Sequence, residues 1–172
     1  MIGISNYSNS SKYGKEFTNL HGAVADADAI HNYLLGNGVP SDNIWNFRSP
    51  DEGSIPPTEQ ATWVNIMKAL SDLKTCNIKK NEPILIYFAG HGGQTTAPEG
   101  WPSEEGKIQY LLPQDACTSD QGEIINIIPD YVIADRLAEL ATTKGNNIVC
   151  PGTTLLEQTW MLTCSCTLDC YP

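Results

Sequence analysis

The chain has 172 residues, of which 41% are hydrophobic and 17% are charged, a composition typical of a globular protein and unlike that of a disordered or fibrous one. At this length we expect one compact domain that buries about 70% of its unfolded surface. Twenty Asp and Glu residues against ten Lys and Arg residues give a net charge of −10, which argues against a nucleic-acid-binding surface and permits a cationic ligand.

No segment has the pattern of a targeting signal or a membrane span. Residues 1–11 have neither a basic start nor a sustained apolar run, and no later stretch approaches the ~20 apolar residues of a spanning helix. Four of the six cysteines crowd the last 23 residues, which is not the spacing of a small disulfide-bonded scaffold. We therefore expect a cytoplasmic protein with reduced thiols.

The first half of the chain predicts strands that alternate with helices. Residues 1–4 are a short apolar start typical of a first strand, and apolar side chains at helical spacing predict a helix over residues 21–36. Residues 43–47 predict a brief second strand. After the breaker at Pro56 and Pro57, a second helix is predicted from an apolar stripe of Trp63, Ile66, Met67, Leu70 and Leu73.

The second half contains the most apolar strand of the sequence. Residues 84–88 form an unbroken run of β-favouring side chains, which predicts a strand buried on both faces of a parallel sheet. A long loop with a hairpin is predicted next, including an extended piece at residues 108–112. A third helix over residues 130–144 precedes a strand that begins at residue 147, which we expect Pro151 to interrupt.

This alternation predicts an α/β protein with a mainly parallel sheet, right-handed crossovers and helices on both faces. Sites in such sheets form outside the carboxyl ends of the strands, and His91 comes directly after the most apolar strand. Imidazole suits proton transfer near neutral pH, and the flanking Gly90 and Gly92 let a backbone approach closely. His91 is therefore a candidate general base, and a loop histidine that caps a turn fits the same residues.

Four stretches, in the same order, resemble the catalytic domain of caspases and especially of metacaspases (peptidase C14). They are residues 20–27 (LHGAVADA), 84–92 (ILIYFAGHG), 110–116 (YLLPQDA) and 128–148, which opens with IPD and closes with KGNNI. The resemblance implies the three-layer α/β/α caspase-like (caspase-hemoglobinase) fold, over about residues 1–149 and incomplete on the C-terminal side. Residues 150–172 would then be a divergent Cys-rich tail, which we expect to be irregular.

The same resemblance implies the roles of two residues in a cysteine-type endopeptidase. His91 would be the general base of a Cys-His dyad, and Asp26 would line an acidic pocket for Arg or Lys at the P1 position of the substrate. Considered without the resemblance, Asp26 is equally a solvated or capping carboxylate in a first helical turn. Ala89 stands where metacaspases usually have Ser, and the lost hydroxyl weakens the case for ordinary specificity.

Calcium and zinc are the two metals for which the sequence offers candidate ligands. Many metacaspases need calcium, and the loop after His91 offers carboxylates at Glu104, Glu105 and Asp120, although solvated surface charge explains these residues better. The spacing of Cys164, Cys166 and Cys170 suggests a metal, but no histidine lies nearby, which disfavours zinc.

The nucleophile is missing from the position where the family carries it. Leu155 stands at about that position, beyond the Asn-Asn-Ile motif. Cys150 lies about four residues into its strand, which leaves it some 10 Å short of the catalytic edge and favours a core role. Cys170 is the other candidate, since Leu-Asp-Cys echoes the family motif, but the alignment places the catalytic position at Tyr171 and requires a detour of about twenty residues.

We therefore expect a caspase-like endopeptidase domain that is inactive in this chain and whose family relatives act on proteins or peptides with basic residues. The alternative is a noncatalytic interaction or regulatory module that pairs with intact caspase-like domains through an open sheet edge. A third interpretation is a chain that does not fold stably, because an unfinished sheet exposes its apolar face. Neither nucleic acid nor a membrane is an expected partner.

Overall fold

The computed structural model describes residues 1–7, 17–50, 55–101, 103, 105–118 and 124–154. Within these ranges the helices are α1 (Ala23–Gly36), α2 (Trp63–Asp72) and α3 (Asp130–Lys144). The strands are β1 (Ile2–Ile4), β2 (Phe47–Ser49), β3 (Ile84–Leu85), β4 (Phe88–Gly90), β5 (Gly92–Thr96), β6 (Lys107–Leu111), β7 (Cys117–Thr118), β8 (Ile124–Ile125), β9 (Ile128–Pro129), β10 (Ile148–Val149) and β11 (Gly152–Thr154).

The central sheet is parallel, with strand order β11-β4-β1-β2. Strands β3 and β10 pair in the same direction and directly precede β4 and β11. The register is constant along both pairs, from Ile148 opposite Ile84 to Thr154 opposite Gly90. Residues 148–154 therefore run beside residues 84–90, and the predicted mainly parallel α/β sheet is confirmed.

Helices cover both faces of this sheet. Gly3 of β1 faces α1 so closely that an ideal Cβ on it would lie 2.8 Å from the Cβ of Ala27. Its neighbour Ile2, whose side chain points to the opposite face, lines a cavity together with Ile66 of α2 and Ile133 of α3. One helix on one face and two on the other give the three layers that the sequence predicts.

The helices begin and end where local chemistry favours it. The Thr62 hydroxyl accepts a hydrogen bond from the Asn65 backbone N–H at 3.3 Å and caps the start of α2. Helix α3 ends at Gly145, whose φ of 91° suits glycine and few other residues. The Lys144 ammonium donates to the carbonyl oxygens of Cys76 at 2.7 Å and Ile78 at 3.0 Å, and so fastens the end of α3 to the loop after α2.

A hairpin follows His91 directly, as the sequence predicts. Strands β5 and β6 pair antiparallel, with Gly92 opposite Leu111, and β9 extends the sheet on the other side of β6. Gly93 has no room for a side chain, because an ideal Cβ would lie 2.5 Å from the Tyr110 ring. None of the helices described for this chain is long and apolar enough to cross a membrane.

The predicted second strand is displaced along the chain. Residues 41–43 form a 3₁₀ turn, and the strand covers Phe47–Ser49 where residues 43–47 were expected. Pairing with β1 decides this position, because Phe47 lies opposite Ile2 and its N–H donates to the Met1 carbonyl at 2.9 Å. A local apolar pattern carries no information about that partner.

The strand is interrupted at Pro151 as the sequence predicts, because β10 ends at Val149 and β11 begins at Gly152, but the pairing continues in the same register beyond Pro151. Its carbonyl accepts the N–H of Phe88 at 3.4 Å, and pairing resumes at Gly152. Proline has no N–H to donate, and Pro151 lies in the short gap between β10 and β11. The neighbouring chain has a gap at the same level, between β3 and β4. The domain boundary at residue 149 stays a prediction, and residues 155–172 of the expected irregular tail lie outside the described residues.

Replacement of Gly3 by Ala tests the packing of α1 on the sheet. The added methyl group meets the Ala27 side chain and the Ala23 carbonyl, so Gly3→Ala should lower the free energy of unfolding by about 1–3 kcal/mol. Gly36→Ala is the matched control, since nothing lies within 4 Å of its ideal Cβ, and it should be neutral or stabilising. Urea unfolding measures both, and equal effects would contradict this description of the interface.

Candidate functional site at the carboxyl end of the sheet

His91 lies at the carboxyl end of the parallel sheet, directly after β4, and is half-buried. The neighbouring edge strand reaches the same level, because Thr154 pairs with Gly90. The backbone carbonyl of His91 accepts the Leu112 N–H at 3.0 Å, which joins this point to the end of the hairpin. The candidate base therefore lies at the edge where sites form in such sheets.

The imidazole is held in one orientation by a backbone carbonyl. His91 Nε2 lies 2.8 Å from the carbonyl oxygen of Thr18. A carbonyl oxygen can only accept, so the neutral ring carries its proton on Nε2. The lone pair of Nδ1 is then free to take a proton from an acidic group.

Tyr7 contacts both the backbone and the ring of His91. Its hydroxyl oxygen accepts the His91 backbone N–H at 2.6 Å. The two rings are tilted by 44° with their centroids 4.9 Å apart. Burial raises the pKa of the Tyr7 phenol far above its usual range, so the hydroxyl stays neutral.

The segment that carries Thr18 is fastened to the end of β1. The Leu20 N–H donates to the Ser5 carbonyl at 2.8 Å, and the Tyr7 N–H donates to Asn19 Oδ1 at 3.2 Å. Neither Tyr7 nor Thr18 is predicted as a site residue from the sequence. A carbonyl contact leaves no trace in residue type, whereas the aromatic residue just after the first strand was a visible signal.

Cys150 does not approach His91. It lies between Val149, which pairs with Leu85, and Gly152, which pairs with Phe88. In the constant register of these strands Cys150 lies opposite Ile86, and His91 is five residues further along, or about 16 Å at the rise of a strand. Burial raises the pKa of the Cys150 thiol to about 11, and the residue lines an apolar cavity of about 80 Å³ under α2 and α3.

Of the other cysteines, Cys76 and Cys117 lie within the described residues. Cys76 donates from Sγ to the Leu73 carbonyl at 3.1 Å, and Cys117 lies in β7. Within the part of the chain that the structure describes, no thiol forms a hydrogen bond with His91. The remaining predicted candidate, Cys170, lies outside the described residues, as do Leu155, Cys164 and Cys166.

Asp26 lies exposed in the first turn of α1, where its N–H donates to the Gly22 carbonyl at 2.8 Å. Asp28 of the same helix instead forms an ion pair with Arg48 at 2.7 Å. Ala89, which replaces the usual Ser, is 1% exposed, so a hydroxyl there would lie in the core. The role of Asp26 in a substrate pocket stays a prediction.

The residues described here offer no metal site. No group of three or more His, Cys, Asp or Glu side chains comes together in the described ranges. Glu105 is exposed at a turn with a φ of 51°, and the two other predicted calcium ligands, Glu104 and Asp120, lie outside those ranges. The described residues therefore do not form a site that fits the calcium implied by the family resemblance.

Comparison with known proteins identifies a family. The model of the metacaspase, peptidase C14 domain matches residues 1–142, which include β1, His91 and most of α3. Metacaspase-1 of Candida albicans is 33% identical over 90 residues, which cover 51% of this chain and 18% of that protein. Metacaspase-1 of Saccharomyces cerevisiae is 30% identical over 108 residues, which cover 62% of this chain and 23% of that protein.

A further relative, Metacaspase-1A of Aspergillus oryzae, is 29% identical over 97 residues, with 56% of this chain and 22% of that protein covered. This chain therefore spans about a fifth of the length of the curated relatives it matches. The family match, the three-layer parallel fold and the histidine at the end of β4 agree with one another. The chain belongs to the metacaspase family, as a peptidase C14 domain.

Proposed function

We propose that this chain is a cysteine-endopeptidase domain that keeps the family's general base, His91, and lacks the nucleophile. In a Cys-His dyad the imidazole takes the thiol proton, and the thiolate then attacks the scissile carbonyl carbon. The contact of Nε2 with the Thr18 carbonyl supports the role of base, because it leaves Nδ1 as the free acceptor.

The observation that carries the loss of activity is the register of the edge strand. Thr154 pairs with Gly90, the residue directly before His91, and the residue that follows Thr154 in the sequence is Leu155. A leucine side chain has no acidic proton to give. Cys150 is not a substitute, because its level in the sheet is five residues, or about 16 Å, from that of His91 and its thiol is buried.

The substrate class follows from the family resemblance and from charge. We propose that the ancestral site preferred Arg or Lys at P1, with Asp26 as a carboxylate for the cationic side chain. Asp26 is exposed and, among the residues described, forms no ion pair. The net charge of −10 favours basic peptides over acidic ones.

Peptide hydrolysis tests the loss of the nucleophile. With fluorogenic Arg and Lys peptides, with and without calcium, the chain should give no turnover above the buffer blank, while an intact metacaspase gives a clear signal. Turnover that is abolished by Cys170→Ala and kept in Cys164→Ala would overturn the proposal. It would assign the reaction to Cys170.

Alkylation tests the inert character of Cys150. A thiol with a pKa of about 11 is almost wholly protonated at pH 7.5, so native Cys150 should resist iodoacetamide and react only after unfolding. Peptide mass spectrometry of native and urea-treated samples gives the rate of Cys150 alkylation in the folded and the unfolded protein. Alkylation of Cys117 in the same samples is the control for the activity of the reagent. Fast native labelling of Cys150 would show an accessible thiolate and return it to consideration as a nucleophile.

A second candidate function is a noncatalytic module that pairs with the sheet of an intact metacaspase. Along residues 149–152, the carbonyls of Val149 and Pro151 accept N–H groups of the neighbouring strand, so the backbone groups of the alternate residues Cys150 and Gly152 point outward. In the described part of the chain that outer edge has no neighbouring strand, and Val149 is 57% exposed. An extended strand of the partner could continue the ladder there.

Proline at position 152 tests this edge. Gly152→Pro removes an outward N–H, whereas Gly152→Ala keeps it and is the matched control. If the edge is the binding surface, sedimentation of the chain with an intact metacaspase should show a complex that Gly152→Pro weakens about tenfold and Gly152→Ala does not. A chain that stays monomeric and does not bind, or two variants with equal affinity, would count against the module.

A further inference from the structure

Tyr7 is a buried aromatic residue that contacts the candidate base and that no motif of the dyad includes. Its side chain is 2% exposed and is among the largest fully buried side chains in the described residues. It follows β1 by three positions and lies against the end of β4. We propose that Tyr7 is a positioning residue, which fixes the backbone of His91 through its hydroxyl and the imidazole through its ring.

The hydroxyl takes the place of a missing strand partner. Alternate residues of the strand direct their backbone groups to β1, as the Tyr87 carbonyl does when it accepts the Ile2 N–H at 2.8 Å. His91 lies four residues after Tyr87 and points the same way, but β1 ends at Ile4. The Tyr7 hydroxyl accepts the N–H that no further strand residue reaches.

Gly90 makes room for this contact. An ideal Cβ on Gly90 would lie 3.0 Å from the Tyr7 hydroxyl oxygen and 2.9 Å from the Phe88 ring. Any side chain at position 90 would therefore press on the hydroxyl that holds His91. The glycine before the histidine thus serves the support of the base, in addition to any close approach of a substrate.

Tyr7 also contacts both neighbours of Thr18, the residue whose carbonyl holds the His91 ring. Its own N–H donates to Asn19 Oδ1, the residue directly after Thr18, and its ring lies 6.2 Å from that of Phe17, directly before it. The carbonyl that orients Nε2 and the hydroxyl that holds the backbone N–H are thus linked through one residue. Loss of the Tyr7 hydroxyl should loosen the backbone of His91 first and its ring orientation second.

The functional meaning of this support rests on the proposed role of His91 as the base. The geometry itself can be measured in a chain with no activity. The sequence contains only three histidines, His21, His31 and His91, so imidazole signals in nuclear magnetic resonance spectra are few. Nitrogen shifts of the ring report the tautomer, and hydrogen exchange of the amide reports its hydrogen bond.

The experiment compares Tyr7→Phe with Tyr110→Phe in the full chain. Tyr110 is also buried and packs on Gly93, and in the described residues neither a hydrogen bond nor a ring contact joins it to His91. In Tyr7→Phe the His91 amide should exchange about three- to tenfold faster relative to that of Ile86, whose N–H donates to Val149. The ring should also lose its single Nε2–H tautomer, and Tyr110→Phe should change neither signal.

Three results would overturn the proposal. They are an unchanged amide and tautomer in Tyr7→Phe, an equal acceleration of all strand amides, and the same change in Tyr110→Phe. If Tyr7→Phe does not fold, the nitrogen shifts of His91 in the unaltered chain still test the proposal. A mixture of the two tautomers in that chain would contradict an imidazole ring held in one orientation. Peptide turnover would refute the missing nucleophile and leave this result standing, so the two proposals fail separately.

Discussion

Parallel pairing between β1 and β4 is the contact on which the rest of the site depends. Ile2 lies opposite Phe88 and Gly3 opposite Ala89, so the residues after each strand emerge side by side. Tyr7 and the segment at Thr18 come from the first strand, and His91 comes from the second. A one-residue slip would turn every side chain to the other face and separate these groups. The packing of Gly3 on Ala27 opposes such a slip, because no larger residue fits there.

The sequence predicts what depends on local pattern. The helical stripe of α2, the glycine stop of α3 and the apolar strand before His91 each follow from neighbours within about a dozen residues. The second strand does not, because its position depends on a partner more than 40 residues away, where Phe47 meets Ile2. Thr18 is invisible for another reason, since it acts through a carbonyl that every residue possesses. Recognition of the metacaspase family rests on the order of several motifs, and the family match confirms it.

His91 and Cys150 differ in the kind of environment that surrounds each side chain. His91 is half-buried, and its contacts are hydrogen bonds that fix the ring and leave one nitrogen free. Cys150 is surrounded by apolar side chains, and burial raises its thiol pKa to about 11. A nucleophilic thiol needs the reverse, a polar or cationic neighbour that stabilises the thiolate. Residues only a few positions apart along neighbouring strands thus have chemically unrelated roles.

In the described part of the chain, the two outer edges of the central sheet differ in whether their backbone groups are already paired. The β2 edge is already covered, because Arg48 bridges to Gln60 and its carbonyl accepts the Ala61 N–H at 3.2 Å. The edge at β10 and β11 directs the groups of Cys150 and Gly152 outward, while the missing N–H of Pro151 faces inward and does not interrupt that edge. Among the described residues, the edge at β10 and β11 is therefore the edge of the central sheet whose outward backbone groups can pair with a further strand.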